Sequence, residues 1–469
     1  IKILIMKIEQ IYTGCLAQGA YYVTSGSEAI IIDPLREITP YMSRAQADAV
    51  TIKFILETHF HADFVSGHLD LAKATGAPIV FGPMADPQFA FHSAKDGEVL
   101  AFGDCSVRVL HTPGHTMEST CYLLIDENGR EHALFSGDTL FIGDVGRPDL
   151  AQKSAAMTQE DLAGTLFDSL RNKIMPLADH IIVYPAHGAG SSCGKNMSKE
   201  TFDTLGNQKK VNYALRSDMD RSTFIKELTD GLLPPPNYFG MNVAMNKKGY
   251  DSIHDVMARG LKALSRDQFT SLAPEALILD TRPATEFAQG FIPGSIFIGL
   301  EGQFAPWVGA LIPDVKQEII LVTPDGKEEE TVRRLARVGY DNVRGYLDGG
   351  IRAWEGTLDS IGRVEASDVE QGLTANESLI DVRKPGEYES EHLVDVPSIP
   401  LDFINERMAE FPKDKELVLL CGGGYRSMIA ASILKSRGFE GIKDVIGGYA
   451  ALAKTNLPKV TVACASTQS

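Results

Sequence analysis

The chain has 469 residues, 44% hydrophobic and 23% charged, with a formal net charge of −17. That acidity argues against a phosphate-backbone binder, which needs clustered Lys and Arg, and no run approaches the ~20 apolar residues that span a bilayer. The six cysteines, Cys15, Cys105, Cys121, Cys193, Cys421 and Cys464, show no paired spacing, which argues against a disulfide framework and for a reducing, cytoplasmic compartment.

The length is a prior for about three domains. The opening run Ile1-Lys2-Ile3-Leu4-Ile5-Met6 is too short for a signal-peptide core and reads as a first strand. The first half then alternates short β-branched runs with turn clusters and helical stretches. Ala29-Ile30-Ile31-Ile32-Asp33, Ile52-Lys53-Phe54-Ile55-Leu56 and Ile181-Ile182-Val183-Tyr184 are buried strands that each feed a polar loop, the usual way an α/β fold builds a site. Residues 199–231 read as helices, ended by Pro234-Pro235-Pro236 because proline cannot continue a helix. Residues 246–260 read as a connecting segment.

The second half repeats itself. Leu277-Ile278-Leu279-Asp280-Thr281-Arg282 matches Leu379-Ile380-Asp381-Val382-Arg383, and Glu318-Ile319-Ile320-Leu321-Val322-Thr323 matches Glu416-Leu417-Val418-Leu419-Leu420-Cys421. Gly349-Gly350 matches Gly447-Gly448. Each copy reads as a small doubly wound α/β domain, present twice. The tail from Thr461 is small and polar and is expected to be flexible.

Four loops of the first half carry metal-ligand chemistry: Thr58-His59-Phe60-His61-Ala62-Asp63-Phe64, Pro113-Gly114-His115-Thr116, Ser136-Gly137-Asp138-Thr139 and Pro185-Ala186-His187-Gly188. Each follows an apolar run, so all four can meet at one edge of the sheets. Neutral imidazole and carboxylate suit a borderline divalent metal. A lone histidine is more often a satisfied core or surface residue; four such loops in this order are not explained that way.

These loops resemble the metallo-β-lactamase superfamily over residues 6–245, which implies an αββα sandwich. The superfamily pattern is THxHxDH followed by His, Asp and His; here Phe64 replaces the last histidine of the first motif. In the dinuclear hydrolases that histidine helps hold a second metal, so the resemblance implies a crippled second site. What stays intact resembles the persulfide dioxygenase branch. It implies one Fe(II) per chain on His59, His115 and Asp138, a two-His, one-carboxylate set with open positions. His61, Asp63 and His187 then become supporting groups that orient the ligands. Gly146-Arg147-Pro148-Asp149 extends the likeness; Arg147 either anchors a substrate carboxylate or forms a structural ion pair. Cys193 and Tyr238 are expected near the metal and its channel, Cys193 as a sulfur relay or as an ordinary loop cysteine.

The second repeat runs Cys421-Gly422-Gly423-Gly424-Tyr425-Arg426-Ser427 into a helix. Glycines let the loop form a cradle of inward N–H groups, and the helix N-terminus adds about half a positive charge. With Arg426 these are expected to pull a thiol down from about 8.5 and make Cys421 a thiolate able to carry a sulfane sulfur; the bland alternative is a buried core cysteine. The segment resembles a rhodanese loop, and residues 364–459 a rhodanese domain. One departure is His392-Leu393-Val394-Asp395-Val396-Pro397 where the family has His-Ile-Pro-Gly-Ala. The first repeat, residues 263–358, has Thr323 at the cysteine position and Glu328 at the arginine position, so it is expected to be inactive. Its apolar loop Phe304-Ala305-Pro306-Trp307-Val308 reads as an interface or as a cap on its own core.

The whole resembles bacterial persulfide dioxygenase–sulfurtransferase fusions: residues 1–245 dioxygenase, 246–262 linker, 263–358 inactive rhodanese-like domain, 364–459 active rhodanese, 460–469 tail. The resemblance implies oxidation of a small-molecule persulfide by O2 to sulfite and a thiol, then transfer of the Cys421 outer sulfur to sulfite, giving thiosulfate. It implies a homo-oligomer, dimer or tetramer, with no nucleic-acid or membrane partner. The alternatives are a glyoxalase II-like zinc thioester hydrolase fused to a sulfurtransferase, and a non-enzymatic persulfide carrier.

Overall fold

The alternation of buried side chains along the first strands already dictates a layered core. Successive strand residues point to opposite faces. Thus Tyr21, Val23, Ile30 and Ile32 enter one hydrophobic cluster and Ala20, Tyr22, Ala29 and Ile31 another. The computed structural model describes residues 6–152, 156–195 and 197–461; the expected strand residues 1–5, the tail from 462 and Cys464 lie outside them. Among these residues the chain divides into two compact units, one running to Asp255 and including Leu335–Gly339, the other comprising Val256–Arg334 and the chain from Tyr340.

The first unit holds two six-stranded sheets. One runs in the order β1 (Lys7–Thr13), β2 (Gln18–Ser25), β3 (Glu28–Ile32), β4 (Thr51–Leu56), β5 (Ile79–Phe81) and β6 (His92–Ser93). The other contains β7 (Val99–Phe102), β8 (Cys105–His111), β9 (Thr120–Ile125), β10 (Glu131–Gly137), β11 (Ile182–Pro185) and β12 (Asp203–Thr204). Their inner faces share a core, with Tyr21, Val23, Ile30 and Ile32 against Val107, Val109, Tyr122, Leu124 and Phe135. Helices Thr39–Asp48 and His68–Thr75 cover the outer face of the first sheet. Helices Gln159–Ser169 and Arg221–Thr229 cover the second. This is the expected αββα sandwich.

The second unit contains two mostly parallel sheets, ordered β13-β17-β16-β14-β15 and β18-β22-β21-β19. The first is built from β13 (Ala263–Leu264), β14 (Leu277–Asp280), β15 (Ile296–Phe297), β16 (Ile319–Val322) and β17 (Val343–Leu347). The second uses β18 (Gly362–Val364), β19 (Glu377–Asp381), β21 (Glu416–Leu420) and β22 (Ile442–Val445), while β20 (Glu391–Leu393) pairs with β23 (Lys459–Thr461). The repeated Asp-x-Arg has one structural job in both copies: Arg282 pairs with Asp280, and Arg383 with Asp381.

Three local expectations are corrected. Residues 246–260 are largely helical, since helix Phe239–Lys248 begins just past the triple proline and Ile253–Gly260 follows. Phe304–Leu311 is a helix, with Trp307 buried; Pro306 is tolerated because the first turn needs no intrahelical N–H donor. Residues 460–461 belong to β23 rather than to a loose tail, because ladder bonds to β20 hold them. No helix among the described residues is long and apolar enough to cross a membrane.

Candidate metal centre and cysteine loop

In the first unit, His59 follows β4, His115 follows β8, Asp138 follows β10 and His187 follows β11. One ligand atom from each of His59, His115 and Asp138 lies within 4.8 Å of the other two, and all three residues are buried. His115 Nε2 is 3.4 Å and His59 Nε2 3.8 Å from Asp138 Oδ2.

The surrounding hydrogen bonds set the tautomers. Thr58 Oγ1 donates to Asp33 Oδ2 at 2.8 Å, so His59 Nδ1, 3.0 Å from that hydroxyl, is the donor to it. His115 Nδ1 donates to the Arg147 carbonyl at 2.8 Å. Both rings thus commit Nδ1 to a hydrogen bond and turn Nε2 to the site, the arrangement a metal ligand needs. Burial, with His61 beside it, pushes the His59 imidazole well below its usual range, so it stays neutral. Asp138 is held far below the carboxylate range: burial opposes this, but His187 and His59 outweigh it.

Buried polar atoms are nearly always paired. Here His115 Nε2 and Asp138 Oδ2 have no hydrogen-bond partner among the described residues. Two such orphans, facing the neutral imidazole of His59, fit a divalent cation bound by two histidines and one carboxylate.

His61 does not join them. Its Nε2 lies 3.1 Å from Asp33 Oδ1 and 3.4 Å from Glu57 Oε2. Burial would lower this imidazole, but Asp33 and Glu57 prevail and raise it to about 10; Asp33, Glu57 and His61 form a buried group of their own, with ligand atoms within 4.8 Å of one another. The Phe64 ring stacks on it at 4.3 Å. Ser66 Oγ and His68 Nδ1 complete the network on Glu57, at 2.5 and 3.1 Å. Sequence reasoning missed Asp33 and Glu57. Asp33 was findable, since it ends a strand as the other site residues do; Glu57 carried no signal.

His187 bridges two carboxylates, with Nδ1 2.8 Å from Asp138 Oδ1 and Nε2 2.9 Å from Asp63 Oδ2. Burial opposes its charge, yet Asp138 and Asp63 hold it well above the usual histidine range. Cys193 is buried as well and forms a second close group with Asp63 and His187, their ligand atoms within 4.8 Å. Burial, then Asp63 and Asp138, push its thiol well up. Arg147 makes a two-point ion pair with Asp149, both contacts 2.7 Å, and donates to the carbonyls of Ser192 and Leu233. It ties loops together behind His115. Tyr238 is buried at the start of helix Phe239–Lys248 and belongs to neither ligand group.

Gly146 lets these loops close. A Cβ there would sit 2.0 Å from the Asp138 carbonyl oxygen and 2.9 Å from His115 Nδ1. Gly146→Ala is therefore expected to displace both ligands, costing about 1–3 kcal/mol by overpacking and lowering the metal content of purified protein. Elemental analysis beside a melting curve checks it; unchanged metal content would sink the argument.

In the second unit, Cys421 directly follows β21 and is buried. Its Sγ accepts from the Gly424 N–H at 3.1 Å, and Ser427 Oγ lies 3.3 Å from it. Gly424 has φ +104°, a left-handed turn that glycine tolerates without a Cβ clash. Arg426 makes a two-point ion pair with Glu387, a partner the sequence did not reveal. A cavity of about 290 Å³ opens there, lined by Lys384, Glu387, Tyr425 and Arg426 and, from the first repeat, Gln303 and Trp307. Gly422 and Gly423 complete the loop. In the first repeat, Glu328 accepts from Thr323 Oγ1 and the Gly326 N–H, each at 3.2 Å. Its own carboxylate thus fills the cradle.

Comparison with known proteins agrees with this geometry. The metallo-beta-lactamase superfamily profile matches residues 13–187, and the rhodanese-like domain profile matches residues 261–357 and 365–455. A crystal structure of a metallo-beta-lactamase from Staphylococcus aureus is 31% identical, with TM-score 0.64, covering 73% of this chain and 98% of that one. The mitochondrial persulfide dioxygenase ETHE1 of Bos taurus is 28% identical over 47% of this chain and 79% of its own length. A probable hydroxyacylglutathione hydrolase of Schizosaccharomyces pombe is 31% identical over 37% of this chain, which spans 63% of that relative's length. The chain belongs to the metallo-β-lactamase superfamily and carries two rhodanese-like domains behind its metallo-β-lactamase domain.

Proposed function

We propose that this chain oxidises a low-molecular-weight thiol persulfide with O2, using one Fe(II) on His59, His115 and Asp138, and passes sulfane sulfur through Cys421 to sulfite. The observation that carries this reading is the pair of buried, unpartnered ligand atoms, His115 Nε2 and Asp138 Oδ2, facing neutral His59. Likeness to persulfide dioxygenases supports it. The domains are residues 1–245, 263–358 and 364–459, the middle one inactive; a cytoplasmic homo-oligomer is part of the proposal.

When bound, the iron supplies open coordination positions and the electrons that activate dioxygen. The protein's part is positioning. His187 holds Asp138 by its second oxygen, and the Arg147 carbonyl fixes the His115 ring. The overall oxidation consumes persulfide, O2 and one water and yields thiol, sulfite and two protons. In the second step sulfite attacks the outer sulfur of persulfidated Cys421, the S–S bond breaks, and thiosulfate leaves the Cys421 thiolate. One chain carrying both sites raises the effective concentration of sulfite at Cys421.

One observation favours a second reading, a two-metal thioester hydrolase: Cys193 offers a thiol beside Asp63 and His187, where Phe64 offers nothing. Elemental analysis and an oxygen electrode separate the two. We expect about one iron per chain and oxygen uptake with glutathione or coenzyme A persulfide. Two zincs per chain and no oxygen uptake by the iron-loaded protein would overturn the proposal.

A further inference from the structure

A carboxylate lies fully buried behind the Cys421 loop. Asp444 sits on β22, inside the four-stranded sheet and between β18 and β21. A buried carboxylate needs strong partners. Asp444 has Ser427 Oγ at 2.6 Å from Oδ1 and Arg363 Nη2 at 3.4 Å from Oδ2. Ser427, also fully buried, is 3.3 Å from Cys421 Sγ. One hydroxyl thus touches both a thiol and a carboxyl, and it has one proton to give.

Resting on the reading of Cys421 as a sulfur carrier, we propose that Cys421 and Asp444 share one proton through Ser427. Asp444 is then the positioning group that takes the thiol proton when Cys421 accepts sulfur. With Asp444 ionised, Ser427 donates to it and turns a lone pair towards the Cys421 S–H. In the transfer the S–H bond breaks, that proton passes to Ser427 Oγ, and the serine's own proton passes to Asp444 Oδ1. The products are a thiolate, a neutral serine and a protonated Asp444; no electrons change hands. The thiolate then accepts the Gly424 N–H and attacks the sulfane sulfur of thiosulfate; the donor's S–S bond breaks, sulfite leaves with that electron pair, and Cys421 is left as the persulfide.

Few charges face this chain. Arg363 approaches Asp444 from β18, while the β21 residue paired with it is the apolar Leu419. Near the sulfur, Arg426 is paired with Glu387, and Asp402 also lies in reach of Arg426. Burial raises the Asp444 carboxyl to about 6, against Ser427 and Arg363, which lower it. A group at that value exchanges a proton near neutral pH. The first repeat supplies an internal contrast. The residues matching Cys421, Ser427 and Asp444 there are Thr323, Glu329 and Tyr346, so the copy without the cysteine also lacks both relay groups.

The test uses the full chain and measures alkylation of Cys421 by iodoacetamide against pH, read by mass spectrometry. The wild type is expected to show an inflection near pH 6 from Asp444. Asp444→Asn should lose that inflection, because the group that titrates there is gone. Ser427→Ala, which removes one hydroxyl, should move the midpoint up, and Ser427→Thr should restore the wild-type curve. Superimposable curves for wild type and Asp444→Asn would overturn the relay, as would a Ser427→Ala curve identical to wild type. Sulfane-sulfur transfer from thiosulfate is assayed on the same samples. Its absence, with the pH behaviour as expected, would sink the carrier reading and leave the relay standing.

Discussion

Asp138→Ala is expected to reduce oxygen uptake with any persulfide to the background of metal-free protein. Asp138 supplies the one anionic ligand atom of the triad, and Oδ2 has no other partner among the described residues. Its loss leaves two neutral imidazoles, which hold Fe(II) weakly. The substitution also removes half of the support under His187, whose charge Asp138 and Asp63 share. Leaving a buried cation with one counter-charge costs on the order of 3–5 kcal/mol, so the melting temperature should fall as well. Asp138→Asn separates the two effects, because it keeps the size and an oxygen for His187 while losing the charge. Both variants should lack iron, and the asparagine variant should melt closer to wild type. Iron content by elemental analysis, oxygen uptake and a melting curve give the result together. Undiminished oxygen uptake in either variant would exclude Asp138 as a ligand.

Cys421→Ser is expected to spare oxygen uptake and change the product, with sulfite accumulating where wild type makes thiosulfate. The two side chains are close in size, and a hydroxyl can still accept from the Gly424 N–H that now meets Sγ. The fold should therefore be retained. What disappears is the only atom of that loop able to carry sulfane sulfur: the matched position in the first repeat, Thr323, is already bonded to Glu328. Sulfite and thiosulfate are quantified by thiol-reactive derivatisation and chromatography. Persistence of thiosulfate at the wild-type rate, with no sulfite build-up, would show that coupling bypasses Cys421.

Much of this was legible because the chemistry lies where strands end. His59, His115, Asp138 and His187 each follow an apolar run, so each lies in the loop that a buried strand feeds. Phe64 was equally legible: a side chain with no lone pair cannot ligate in any fold. The duplicated Asp-x-Arg, with cysteine in one copy and threonine in the other, set the two repeats apart on chemistry alone.

Other features depend on residues far apart in the chain. His61 sits two positions from His59 in sequence, yet Asp33, nearly thirty residues earlier, holds it together with Glu57. Arg426 looked like a charge free to serve Cys421, and Glu387, nearly forty residues earlier, holds it. Cys193 joins Asp63 and His187 because the loop after β11 folds back over them.

Read alone, then, the sequence determined which atoms can coordinate a metal or carry sulfur, since that follows from residue type and from hydrophobic periodicity. Only the tertiary structure decided which of them are free to do so. Charge and hydrogen bonding are settled by neighbours in space: a buried histidine between two carboxylates is held as a cation, whereas one that donates from Nδ1 to a carbonyl or a hydroxyl keeps Nε2 free to face a metal. That distinction separates His61 and His187 from His59 and His115, and it sets Asp444 beside Cys421.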